Sequence, residues 1–204
     1  MKESKNLIEE HPVMKGLKER GTNDGLVSQQ KSGGLPTSNF KTGVFNKYES
    51  LSADEMHSTI FKKGETCYMC PVGCKRVVEA ETPYKIDPKY GGPEYETVAA
   101  LGSYNEISDM NAVAKGNELC NKYSLDTIST GSSISFAIEC FQEGILTEKD
   151  TGGVKLEYGN PEIMLDLIKK IAHREGIGDL LAEGPQKAAE KLGNGAEKFA
   201  MHVK

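Results

Sequence analysis

The chain of 204 residues has no tryptophan, no long apolar run and no excess of basic charge. Without an apolar run no transmembrane span is expected. The first residues, Met1-Lys2-Glu3-Ser4-Lys5-Asn6, are polar and lead into no apolar signal segment, so export is not expected either. A formal charge of −5 argues against nucleic acid as a general partner. Cysteines number five, an odd count, and three of them fall within eight positions. A secreted disulfide framework would spread them differently, so a reduced, cytoplasmic setting is expected. Strand-type alternation is scarce, limited to a pairing of residues 76–79 with 84–86. The expected class is therefore mainly α.

Glycine, by contrast, is abundant, and many of the 22 glycines sit where helices should stop. The chain divides near Ala80. Residues 1–80 read as an extended, irregular segment that carries the cysteine loop and packs on the helical part. Residues 15–50 show little periodicity, which suggests a stretch draped over another domain. One helix is expected there, over residues 56–61, because Ser52 and Glu55 form a capping box. Residues 81–204 read as a helical domain. Pro93 opens one helix, Asp109 caps a second ending near Tyr123, and Asp126 caps a third running to Gly144. Asn160-Pro161-Glu162 starts a fourth, closed by Gly176, and short helices follow at 178–183 and Pro185–Leu192.

The densest chemistry lies in Glu65-Thr66-Cys67-Tyr68-Met69-Cys70-Pro71-Val72-Gly73-Cys74. Thiols at C-x2-C-x3-C spacing, with Pro71 and Gly73 bending the chain, can turn three sulfurs to one centre. Soft thiolates select iron–sulfur clusters, zinc or copper(I). Zinc and cuboidal clusters both want four ligands, and this loop supplies three. Cys120 and Cys140, on expected helices, read as small core residues. The residues alone leave open an iron–sulfur cluster with a distant fourth ligand, a zinc site, and a loop of unliganded thiols.

Three further segments are candidates. Glu94 and Glu96, behind Gly91-Gly92-Pro93, suit acid–base work and equally suit a helix N-terminus. Asn121-Lys122-Tyr123-Ser124-Leu125-Asp126 reads by itself as a helix end followed by a cap. His202 reads as a ligand, a general acid or a surface group.

Taken in order, the segments resemble the aldehyde:ferredoxin oxidoreductase family of tungsten-pterin enzymes. The resemblance rests on Gly21-Thr22, Leu35-Pro36-Thr37-Ser38-Asn39-Phe40, the cysteine loop, Gly92-Pro93-Glu94-Tyr95-Glu96-Thr97, Leu125-Asp126-Thr127-Ile128-Ser129-Thr130-Gly131 and Phe199-Ala200-Met201-His202-Val203-Lys204. It implies the first helical domain of a three-domain enzyme about three times as long, reaching the start of the next domain. The missing N-terminal and C-terminal domains would then be partners. It further implies that Cys67, Cys70 and Cys74 resemble three ligands of a [4Fe-4S] cluster. The fourth lies in the family's last domain, in a D-x-x-G-L-C element beyond this chain. Glu96, with Glu94 as the alternative, resembles the glutamate beside the tungsten, and His202 a histidine near the substrate. Leu125 and Asp126 match the family's D-x-x-G-L-D pterin element, whereas Asn121 replaces its first Asp and Ser124 its Gly. Lys204 resembles a cofactor-contacting lysine. The implied reaction oxidises an aldehyde to a carboxylic acid at a tungsten or molybdenum bis-pterin and passes electrons through the cluster to ferredoxin. A stand-alone iron–sulfur or zinc module and a non-functional remnant are the rival readings.

Overall fold

The computed structural model describes Asn6 and residues 10–202. Lys204, expected at the cofactor, and most of the polar N-terminus lie outside the described residues. Helices dominate: α1 (Pro12–Arg20), α2 (Leu26–Ser32), α3 (Ala53–Thr59), α4 (Tyr95–Leu101), α5 (Met110–Tyr123), α6 (Thr127–Gln142), α7 (Pro161–His173), α8 (Ile177–Leu181) and α9 (Pro185–Leu192). Two strands, β1 (Phe61–Glu65) and β2 (Lys75–Val78), form an antiparallel ribbon. None of the described helices is long and apolar enough to cross a membrane.

Local cap chemistry sets most helix starts. The side chain of Ser52 accepts from the Glu55 amide, Asp109 from Asn111 and Ala112, Asp126 from Ser129, and Asn160 from Glu162 and Ile163. Each cap satisfies an otherwise orphaned N–H and contributes about 1 kcal/mol. Helix α4 begins at Tyr95, two residues after the expected start at Pro93. Its leading amide is satisfied from outside the segment, because Tyr95 N–H donates to the Thr22 hydroxyl at 3.0 Å. Helices α6 and α7 stop two and three residues before their expected glycines, α7 because Arg174 turns left-handed.

Two expectations for the first 80 residues are corrected. Residues 12–32 hold two helices rather than extended chain. Helix α1 buries none of its residues and α2 only Leu26, so neither carries the apolar stripe that periodicity would reveal. The segment also has its own place in the core. Leu26, Leu35, Phe45, Leu51 and Met56 are buried in the same apolar cluster as Val98, Leu101, Ile134, Phe136 and Ile168. Burial of each such large side chain contributes about 1.5–3 kcal/mol.

The strand partner of residues 76–79 is the second correction. Strand β2 pairs with β1, Phe61 opposite Val78 and Glu65 opposite Lys75, while 84–86 contributes only the single bridge Ala80–Ile86. Beyond Ile86 the Asp87 N–H goes to the Glu118 carboxylate at 2.7 Å, and Pro88 has no N–H to continue a ladder. The cysteine segment is consequently the loop of a β-hairpin.

Helices α4 and α6 cross at Gly131, where an added Cβ would sit 2.4 Å from the Ala100 carbonyl oxygen. Backbone cannot yield as a side chain can. Gly131→Ala should therefore destabilise the chain by about 1–3 kcal/mol, read as a fall in Tm of roughly 2–4 °C per kcal/mol. An unchanged Tm would show that the crossing tolerates a methyl group.

Candidate active site and thiol loop

The ribbon presents residues 66–74 as an open loop. Cys70 N–H bonds the Cys67 carbonyl at 3.0 Å, and the Thr66 hydroxyl donates to the carbonyls of Cys67 and Cys70. Tyr68 and Met69 stand out from its tip, 95% and 69% exposed, with Met69 in the left-handed region. Cys67 is exposed and Cys70 and Cys74 are half-buried, all three as free thiols. Among the described residues no three His, Cys, Asp or Glu side chains are gathered closely enough to hold a metal ion. The sulfurs thus share one loop without converging on one centre.

The loop is anchored from behind by Arg76, a residue the sequence did not single out. Its guanidinium is buried and donates to the carbonyls of Lys18, Glu19, Gly73 and Lys75 at 2.8–2.9 Å. Two of these close the last turn of α1, so one cation caps a helix and ties it to the cysteine loop. Gly21, at φ +75°, makes room: a Cβ there would lie 3.0 Å from Arg76 Cγ and 3.1 Å from the Cys74 carbonyl oxygen. Burial pushes the Cys74 thiol above its ordinary range, and the Glu94 carboxylate adds to the shift.

Burial pushes Cys120 and Cys140 further, each up to about 12, in agreement with their expected core role. The thiolate is the nucleophile. Iodoacetamide on the native chain at pH 8 should therefore alkylate the loop in the order Cys67, Cys70, Cys74. Cys120 and Cys140 should react only after unfolding. Mass mapping of early labelling at Cys120 or Cys140 would contradict this burial.

Two cavities of about 580 and 560 Å³ flank α4. The first is walled by apolar groups, among them Phe40, Ala99, Tyr104, Ile128 and Met201, and both Glu96 and His202 line it. These two residues are 106 positions apart, and the fold places them at one hollow. Sequence reasoning missed its aromatic walls. Phe40 had been noted only as the end of a motif, and Tyr104 carried no signal.

The second cavity is polar and gathers Glu94, Asn117, Asn121, Leu125 and Asp126. Glu94 and Glu96 therefore open onto different cavities, so they form no acid–base pair. Thr22 explains the split: its hydroxyl donates to the Glu94 carboxylate and holds it on the far side. Ser124, at φ +58°, occupies the left-handed position that glycine takes most easily. Asn121 Nδ2 already donates to the Tyr90 carbonyl at 2.9 Å, and Asp126 Oδ2 accepts from Ser129 N–H at 2.6 Å. Asn117 differs: its Nδ2 is buried and has no hydrogen-bond partner among the described residues. An orphaned donor at a polar cavity fits a ligand rich in acceptors.

The chain is mainly helical, with a loop of free thiols and two cavities of opposite character beside α4. It matches the family model "Aldehyde ferredoxin oxidoreductase, domains 2 & 3" over residues 1–204 and belongs to that family. It is 36% identical over 206 residues to the tungsten-containing aldehyde ferredoxin oxidoreductase of Thermococcus kodakarensis and 35% identical to that of Pyrococcus furiosus. Each match takes in 100% of this chain and 33% of the relative, so the chain spans about a third of their length. The aliphatic sulfonate oxidoreductase, WOR-like subunit, of Pyrococcus furiosus is 33% identical over 174 residues, 83% of this chain and 28% of its own. Among solved structures, the active-site complex BamBC of benzoyl coenzyme A reductase with 1,5-dienoyl-CoA is similar, with TM-score 0.67 and 25% identity. That likeness covers 90% of this chain and 27% of the other.

Proposed function

We propose that this chain is the part of a tungsten- or molybdenum-dependent aldehyde oxidoreductase that supplies the substrate hollow and most of the cluster loop. The observation that carries the reading is the meeting of Glu96 and His202 in one apolar cavity, in a chain of this family. The reaction is aldehyde plus water to carboxylic acid, releasing two electrons and two protons. When bound, a bis-pterin metal would supply two-electron acceptance and a [4Fe-4S] cluster one-electron transfer toward a ferredoxin.

The chain's own residues do the rest. Apolar walls take the organic group of the aldehyde and keep bulk water from it. Glu96 Oε accepts the proton released as water adds to the carbonyl carbon, the usual work of a positioned carboxylate. His202 donates an imidazole N–H to the aldehyde oxygen and fixes its orientation. Cys67, Cys70 and Cys74, whose sulfurs do not converge on one centre in this structure, would be three soft donors for the cluster, with a fourth ligand from elsewhere in the protein. Asn117, Asn121, Leu125 and Asp126 line the polar hollow that would take a pterin, and the family resemblance would add Lys204, which lies outside the described residues. Five free thiols suit the reducing cytoplasm.

The test is an anaerobic preparation of the holoenzyme containing this chain, assayed for iron, tungsten and molybdenum and for dye reduction with a panel of aldehydes. Aldehyde-dependent reduction with iron and one of the two heavy metals is expected. Full metal content without aldehyde oxidation, or zinc in place of iron, would overturn the reading.

A further inference from the structure

Ser38, Asn39 and Phe40 are three successive non-glycine residues in the left-handed region, at φ 50°, 54° and 62°. Such residues visit it singly as a rule, because Cβ crowds the following carbonyl. A run of three persists only where the surroundings over-determine it. Here the restraint is Asn39, 1% exposed and saturated with partners. Its Oδ1 accepts from the Tyr104 hydroxyl at 2.7 Å. Its Nδ2 donates to the Glu139 carboxylate and, at 2.8 Å, to the Phe199 carbonyl. Lys41 Nζ holds the other Glu139 oxygen at 3.1 Å. Ser38 is fixed as well, its hydroxyl 2.5 Å from Glu106 Oε1.

These contacts converge on the apolar cavity from three sides. The turn delivers Phe40, 60% exposed, to the cavity wall, edge-on to Tyr104 with ring centres 4.8 Å apart. Tyr104 is the second wall, held through its hydroxyl. Phe199 begins the segment that carries Met201 and His202 to the same hollow. One buried amide therefore sets an aromatic wall, its neighbour and the approach of the histidine.

We infer that Asn39 is the positioning residue of this cavity and that Phe40 is its size filter, limiting the bulk of the aldehyde's organic group. The inference rests on the aldehyde reading above. An aromatic ring held by a strained turn cannot step aside for a larger substrate, whereas a ring on an ordinary loop can. Phe40→Ala removes the filter and leaves the turn pinned. Asn39→Gly accepts the left-handed conformation more easily than Asn39 does but loses every pin, so strain relief and positioning give opposite results.

Both variants are to be made in the holoenzyme, with kcat/KM measured for propanal and 2-naphthaldehyde. Phe40→Ala should raise the ratio of 2-naphthaldehyde to propanal by roughly tenfold or more, the scale on which apolar pockets discriminate. Asn39→Gly should lower kcat/KM for both aldehydes and raise the same ratio. A 4-fluorophenylalanine at position 40 adds a reading independent of turnover. Its 19F resonance should be a single sharp line, and in Asn39→Gly it should broaden or divide. An active holoenzyme whose ratio is unmoved by Phe40→Ala, or a fluorine line unchanged by Asn39→Gly, would overturn the inference alone. A fully metallated holoenzyme that oxidises neither aldehyde overturns the functional reading and takes the inference with it.

Discussion

Glu96→Gln should lower kcat of the holoenzyme by about 10²- to 10⁴-fold, the usual worth of a positioned general acid–base group. Iron, tungsten or molybdenum content and the cluster spectrum should stay as in the wild type. The size of the effect follows from where the fold leaves the residue. Glu96 is exposed to the apolar cavity at the start of α4. Its sequence neighbour Glu94 is held by Thr22 at the polar cavity, so no second carboxylate stands by to substitute. Glu94→Gln, by the same geometry, should leave kcat within a few-fold and act on cofactor retention instead. A near-normal rate in Glu96→Gln would return the residue to the role of complementing the helix dipole.

Arg76→Met carries the largest expected effect on stability. Four backbone carbonyls from three segments lose their donor together, and two of them belong to the last turn of α1. A hydrogen bond to a charged donor contributes about 1.5–3 kcal/mol. Some of the four can turn to water on the loop side, so a total of about 3–5 kcal/mol is expected. At 2–4 °C per kcal/mol, that is a fall in Tm of roughly 6–20 °C. The cysteine loop should become the first site of proteolysis, because its tie to α1 is lost. Arg76→Lys should recover only part of the loss, since one ammonium cannot serve four carbonyls in a fixed fork. A stable Arg76→Met chain with a protease-resistant loop would show that the hairpin alone orders the thiols.

Cap chemistry was legible in the sequence because it is local. Ser52, Asp109, Asp126 and Asn160 act on amides two or three residues away, and each cap stands where it was expected. Helices α1 and α2 show almost no apolar face to betray them; the distant Arg76 closes α1, and a left-handed Gly33 closes α2. Strand β1 was hidden for another reason. Its sequence, Phe-Lys-Lys-Gly-Glu, is exposed on both faces beyond the half-buried Phe61, so it shows no in-and-out alternation and takes its order from pairing with β2.

The same distinction governs the site. The C-x2-C-x3-C loop is a short-range pattern and was read directly. The meeting of Glu96 with His202, and of Asn39 with Tyr104, Glu139 and Phe199, joins residues far apart in the chain. No spacing announces such contacts. The Leu35–Phe40 motif flagged the right segment through family resemblance, yet its physical content, a pinned left-handed turn, needed coordinates. Arg76 gave no sign of its anchoring role, since a basic residue at the start of an expected strand reads as surface charge.

The most direct test of the account is the redox state of the cluster in the holoenzyme after anaerobic mixing with an aldehyde. Followed by electron paramagnetic resonance, the wild type should show the reduced-cluster signal with propanal and with dithionite. Glu96→Gln should show it with dithionite but develop it far more slowly with propanal. A cluster that dithionite reduces and no aldehyde does, or one that propanal reduces equally fast in Glu96→Gln, would contradict the account.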